Sequence, residues 1–175
     1  MEKPIIIKNF LSNDEQQLLS KTGKIFLRSN KNSFEEKGGS PYHYSMYATE
    51  ALLEIKKEIV EKKINKNLLS TYSYGRIYTK YDDLKKHRDR PECEYSVTVC
   101  IDSCGTYDWP IYMDGEPYHL KPGDGIIYKG CNFWHWREEF LGDWQYQCFL
   151  HYVDKNGPYH KHVNDRRKVL GDNNI

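Results

Sequence analysis

Three side chains in this sequence have the types and spacing of a metal centre: His87, Asp89 and His135. Side chains alternate faces along an extended strand, so His87 and Asp89, two apart, point the same way. A later strand carrying Phe133-Trp134-His135-Trp136-Arg137 can bring a second imidazole to the same point. Two imidazoles and one carboxylate hold a mid-row divalent ion from one side and leave neighbouring coordination positions open. A lone His-x-Asp arises by chance in many chains, so the assignment turns on what surrounds it.

Two stretches bear on that. Glu94 to Ile101 alternates an apolar face (Tyr95, Val97, Val99, Ile101) with a polar one (Glu94, Ser96, Thr98, Cys100). Short hydroxyl and thiol side chains either meet water or line a small polar pocket, and the strand alone leaves both open. Arg137 stands two residues past His135, hence on the same face and about 6.6 Å along at ~3.3 Å per residue. A guanidinium so placed could grip the far carboxylate of a small dicarboxylate chelating the metal, or pair with Glu138 or Glu139 at the surface. Among the other histidines only His160-x-His162 has ligand-like spacing, and it falls in a polar, Lys-containing stretch that reads as a solvated tail.

The elements that must position these groups follow from periodicity. Pro4 to Ile7 reads as an opening strand. Ser12-Asn13-Asp14-Glu15 offers a capping box, so a helix is expected from Asn13 to near Gly23. Residues 28 to 42, with Gly38-Gly39 and Pro41, read as loop. Thr49 is the next N-cap candidate, followed by an apolar stripe of Leu52, Leu53, Ile55, Ile59 and Ile64. From residue 68 the period changes to two, with strands expected at 69–78, 95–101, 110–112, 119–120, 125–128, 133–136 and 146–153. Many short strands at close spacing indicate an antiparallel barrel or sandwich.

The 175 residues suit a single domain with a real core: helical support over 1–66, a β core over 67–154 and a polar tail over 155–175. A net charge of +1 gives no bulk reason for a nucleic-acid or membrane partner. Five cysteines without a C-x-x-C pair, and no secretory signal, lead us to expect a reduced, cytoplasmic protein.

The stretch Tyr78 to Ile101 (YTKYDDLKKHRDRPECEYSVTVCI), then Lys121-Pro122-Gly123-Asp124-Gly125-Ile126-Ile127-Tyr128 and His135, resembles the 2-oxoglutarate/Fe(II)-dependent oxygenases, and within them the prolyl-hydroxylase-like group. The resemblance spans roughly residues 70 to 153. It implies a mainly β fold, a double-stranded β-helix (jelly roll) with N-terminal supporting helices. It implies that His87, Asp89 and His135 ligate Fe(II), that Tyr78 lies near the co-substrate 2-oxoglutarate, and that O2 is consumed, with ascorbate as a helper. Relatives place an Arg or Lys nine to eleven residues past the distal His to bind the oxoglutarate tail carboxylate. Here those positions are Trp144, Gln145 and Tyr146, and Arg137 is the expected substitute, with Arg76 the alternative.

The resemblance implies hydroxylation of a C–H bond in a peptide, protein or small molecule. Candidates to position it are Arg90, Trp134, Trp136, the stretch Tyr42 to Tyr47 and the segment Asp102 to Trp109. Two other functions are weighed: a cupin-like binder of metal or small acid without turnover, and an oxidative demethylase of nucleic acid, suggested by Lys85, Lys86, Arg88, Arg90 and Arg166-Arg167-Lys168.

Overall fold

In the computed structural model, which describes residues 1–37, 39–105 and 107–172, two antiparallel sheets form the framework. The strands are β1 (Ile5–Ile7), β2 (Tyr42–Tyr44), β3 (Leu68–Thr79), β4 (Leu84–His87), β5 (Tyr95–Ser103), β6 (Ile111–Met113), β7 (Glu116–Tyr118), β8 (Gly125–Tyr128), β9 (His135–Arg137) and β10 (Trp144–Asp154). The larger sheet runs β1-β8-β5-β10-β3-β2 and the smaller β4-β9-β6-β7. Helices α1 (Asn13–Lys37) and α2 (Tyr47–Ile64) pack on the larger one. Among the described residues no helix is long and apolar enough to cross a membrane.

Strand alternation sorts the larger sheet into two faces. Tyr95, Val97, Val99 and Ile101 of β5 and Tyr146, Cys148, Leu150 and Tyr152 of β10 join Leu19, Leu52, Leu53 and Val60 of the helices in the main core. Ser96, Thr98 and Cys100 take the other face, and all three are buried. The polar side of this strand therefore turns into the protein, towards the space between the sheets. Each fully buried aliphatic side chain of the core contributes roughly 1.5–3 kcal/mol.

Several expectations need correction. Helix α1 does not end near Gly23 but runs on to Lys37. Gly23 is there for contact: a Cβ would lie 2.5 Å from the Tyr146 ring, so glycine lets the helix approach the sheet. The expected loop over 28–42 is therefore largely helix. Helix α2 buries Leu52, Leu53 and Val60, while Ile55 and Ile59 are exposed. The expected strand at 119–120 is instead β7, folded onto β6 through Asp114-Gly115, both at positive φ as a tight hairpin requires.

The polar tail is not wholly solvated: among its described residues His162, Asp165, Arg167 and Gly171 are buried. Arg167 is buried, donating to the Thr71 carbonyl (2.9 Å), Glu50 (3.1 Å) and the Ser45 hydroxyl. Asp165 receives both arms of Arg90, at 2.9 and 2.7 Å. His162 is buried against Glu92 at 2.7 Å. Asn164, Asp165 and Arg166 all have positive φ, a conformation that costs roughly 1–2 kcal/mol per residue and that these bonds offset.

Candidate metal centre and adjoining pocket

The three residues singled out from the sequence come together. His87 ends β4 and faces His135 at the start of β9, one register pair of the smaller sheet, with ring centroids 4.2 Å apart. Asp89 lies past the strand end, its N–H donating to the Gly130 carbonyl at 2.9 Å. Its Oδ1 is 3.4 Å from Nε2 of both His87 and His135. One ligand atom from each residue lies within 4.8 Å of the other two.

Hydrogen bonding gives this arrangement its chemical meaning. Nδ1 of His87 donates to the Lys85 carbonyl at 2.6 Å, and Nδ1 of His135 to the Phe133 carbonyl at 3.0 Å. With its proton held on Nδ1, a neutral imidazole presents the Nε2 lone pair. Two lone pairs and a carboxylate oxygen then meet, three acceptors that only a cation can satisfy together. With a proton in place of that cation, the hydrogen bond that His87 donates to the Asp89 carboxylate raises His87 above its ordinary pKa. Burial would raise the Asp89 carboxyl, but its bonds with His135 and His87 outweigh that and hold it well below the usual carboxylate range.

Sequence reasoning missed the groups that aim Asp89. Ser96 Oγ lies 3.3 Å from Asp89 Oδ2 and 2.9 Å from His151 Nδ1. A Cβ on Gly130 would fall 2.3 Å from Asp89 Oδ2, so only glycine lets the carboxylate sit there. The sequence shows Ser96 on the polar face of β5, but nothing local pairs it with His151, fifty-five residues on.

Beside the three residues is a pocket of about 280 Å3 whose walls include Tyr72, Tyr74, Arg76 and Tyr78 from β3, Phe149 and His151 from β10, and Tyr128. Tyr78 thus shares a pocket with His87, Asp89 and His135. Arg137 is not among the residues lining this pocket; it is fully buried, its guanidinium 4.6 Å from the Trp109 ring centre. Nη1 donates to the Trp109 carbonyl, while Nε and Nη2 have no hydrogen-bond partner. Burial lowers its pKa, with Tyr78, Cys100 and Tyr128 as close electrostatic neighbours. Gln147 is also fully buried with both amide atoms unpartnered. The surface alternative for Arg137, a pair with Glu138 or Glu139, does not occur among the described contacts.

The basic residues around the motif are engaged elsewhere. Lys85 pairs with Asp83, Arg90 with Asp165, Lys86 lies over Trp136 and Arg88 over Trp134. Trp136 stacks on Tyr112, 5.3 Å apart and nearly parallel. The loop between β5 and β6 contributes Trp109 to the packing beneath Tyr78, with ring centroids 4.8 Å apart.

No family model matches this sequence, and no curated protein is similar to it by sequence. Solved structures are similar in fold. AviO1 from Streptomyces viridochromogenes Tue57 superposes with a TM-score of 0.68 at 14% identity, over 89% of this chain and 91% of that one. The viral collagen prolyl hydroxylase vCPH from Paramecium bursaria Chlorella virus-1, solved as a 2OG complex, gives 0.65 at 11% identity over 85% and 94%. This chain has their fold. SnoK, a non-heme alpha-ketoglutarate-dependent carbocyclase from nogalamycin biosynthesis, gives 0.67 at 11% identity over 86% and 79%. The fold shared with a prolyl hydroxylase agrees with the resemblance read from Tyr78–Ile101 and His135.

Proposed function

We propose that this chain is an Fe(II)- and 2-oxoglutarate-dependent oxygenase acting as one unit over residues 1–175. The observation that carries the reading is the convergence of two Nε2 lone pairs and one carboxylate oxygen, with both Nδ1 protons committed to backbone carbonyls. His87, Asp89 and His135 would hold the ion, three ligands that leave room for exchangeable groups. With oxoglutarate and O2, such a centre supplies the oxidising power to hydroxylate a C–H bond, releasing succinate and CO2.

The chain's own residues bind and orient. Arg137 takes the tail carboxylate of oxoglutarate: it is buried, positively charged and has two unpaired donors, a costly state that a bidentate anion relieves. Gln147 supplies a neutral amide beside it, both groups neighbouring Cys100. Tyr78 lines the pocket and is an electrostatic neighbour of Arg137, so it helps to orient the co-substrate. The aromatic rings of Tyr72, Tyr74 and Phe149 exclude water and position the target carbon. Hydroxylation of a peptide, protein or small-molecule carbon is the preferred outcome, although SnoK shows the same fold carrying out ring formation.

The test is turnover. Full-length protein with Fe(II), ascorbate, oxoglutarate and O2 should form succinate, coupled to a product heavier by one oxygen when peptide and metabolite pools are supplied. Absence of succinate with every pool would leave a binder without turnover.

A further inference from the structure

We propose that Arg76 anchors a carboxylate on the molecule being oxidised, so that the substrate is a carboxylic acid whose body lies against Tyr74 and Phe149. This rests on the oxygenase reading of the pocket and adds the substrate class to it. Among the described residues, Asp89 and Arg76 are the pocket-lining side chains, apart from histidines, that carry a charge. Asp89 is committed to the two histidines. Arg76 is the remaining charge, and a guanidinium stays protonated in proteins, so it shapes what can enter.

Its surroundings hold the group in place, and its one carboxylate partner, Asp82, forms only a long ion pair with it. The guanidinium stacks on Tyr78 at 4.4 Å, and Nη2 donates to Ser40 Oγ at 2.9 Å. The nearest carboxylate oxygen, on Asp82, is 3.8 Å away, too long for a hydrogen bond. Asp82 already accepts from the Thr79 N–H and hydroxyl through its other oxygen. Ser40 and the Tyr78 hydroxyl can occupy only part of a five-donor fork, which leaves donors matched to a planar carboxylate.

Position separates this role from that of Arg137. Arg137 is fully buried, whereas the Arg76 side chain is 26% exposed. Tyr74 next to it on β3 is braced between Tyr42 (5.7 Å) and Phe149 (6.0 Å), a fixed ring surface for an apolar or flat body. A small acid therefore meets a cation at one end and stacked rings along its length, with the three ligand residues in the same pocket.

The experiment measures binding to full-length protein preloaded with Ni(II) and oxoglutarate. The probes are N-acetyl-proline, N-acetyl-phenylalanine and N-acetyl-leucine as free acids and as methylamides. A further arm, N-acetyl methylamides of Asp and Glu, distinguishes a side-chain carboxylate from a terminal one. The acids of at least one arm should bind tenfold or more tighter than the neutral amides. That preference should fall to within twofold in Arg76→Gln and return in part in Arg76→Lys, with circular dichroism showing both variants folded. Equal binding of acids and amides, or an acid preference that survives Arg76→Gln, would overturn the proposal. So would an Arg76→Gln variant whose defect is in oxoglutarate affinity, which would move Arg76 to the co-substrate. Wild-type protein that takes up neither Ni(II) nor oxoglutarate would instead defeat the oxygenase reading itself.

Discussion

His87 and His135 face each other across the β4–β9 ladder with ring centroids 4.2 Å apart, each tethered through Nδ1 to a backbone carbonyl two residues earlier. The tethers fix both rings before any ion arrives. Replacing His87, Asp89 or His135 with Ala should weaken Ni(II) or Fe(II) binding by roughly 100-fold or more, beyond the loss typical for residues that merely support ligands. Calorimetric titration checks this, with circular dichroism confirming the fold. Retained affinity in any of the three variants would remove that residue from the ligand set.

Ser96 holds the oxygen of Asp89 that does not face the histidines. Ser96→Ala should reduce metal affinity by roughly 10- to 100-fold while leaving the three ligands in place. The same titration reads the effect; an unchanged affinity would show that Gly130 and the local backbone suffice to aim the carboxylate.

Arg137 makes a prediction with two opposite signs. Its buried Nε and Nη2 lack partners, so Arg137→Met should leave the ligand-free protein as stable or more stable, because an apolar side chain relieves an uncompensated charge. The same change should weaken oxoglutarate by roughly 10- to 100-fold, the loss of about 1.5–3 kcal/mol expected for hydrogen bonds to a charged group. Thermal unfolding with and without oxoglutarate measures both, since a ligand bound only to the native state raises the midpoint. A variant that loses stability but keeps its oxoglutarate response would make Arg137 a structural residue.

Arg167 and Glu50 form an ion pair almost completely shielded from water, which also receives the Gly171 N–H. Arg167→Ala should cost about 3–5 kcal/mol, because Glu50 is then left buried without its cation. Urea unfolding tests the number. A loss below about 1 kcal/mol would mean that the tail segment is not docked as described.

Acid should destabilise the protein through His43. Burial lowers its pKa from 6.5 to about 4, and Nε2 shares a 2.7 Å hydrogen bond with the Tyr146 hydroxyl. A depressed folded-state value means that the unfolded chain binds the proton first. The stabilisation is complete above pH 6.5 and is lost as pH falls towards 4, by about 3 kcal/mol at about 1.4 kcal/mol per unit. Urea midpoints between pH 7 and pH 4.5 should fall, and the slope should shrink in His43→Phe. A flat profile in the wild type would contradict the buried neutral state.

The parts legible in the sequence were those with a local signature. Alternation in Tyr95–Ile101 placed Ser96, Thr98 and Cys100 on one face, and the structure turns that face inward. The two-residue step from His135 to Arg137 put both on one side of β9, and both are buried. What escaped was held by long-range partners. Gly23 read as a helix end because its reason, the Tyr146 ring, lies on another element. Asp165 and Arg167 read as solvated because Arg90 and Glu50 are far away along the chain. The same holds for His151, whose meaning depends on Ser96.

The most direct test of the account is a crystal structure of the full chain with Co(II) and oxoglutarate, the metal located by its anomalous scattering. The account predicts one ion bonded to Nε2 of His87, Nε2 of His135 and a carboxylate oxygen of Asp89, with the far carboxylate of oxoglutarate on Arg137. An ion bound elsewhere, or oxoglutarate lying away from these residues, would contradict it.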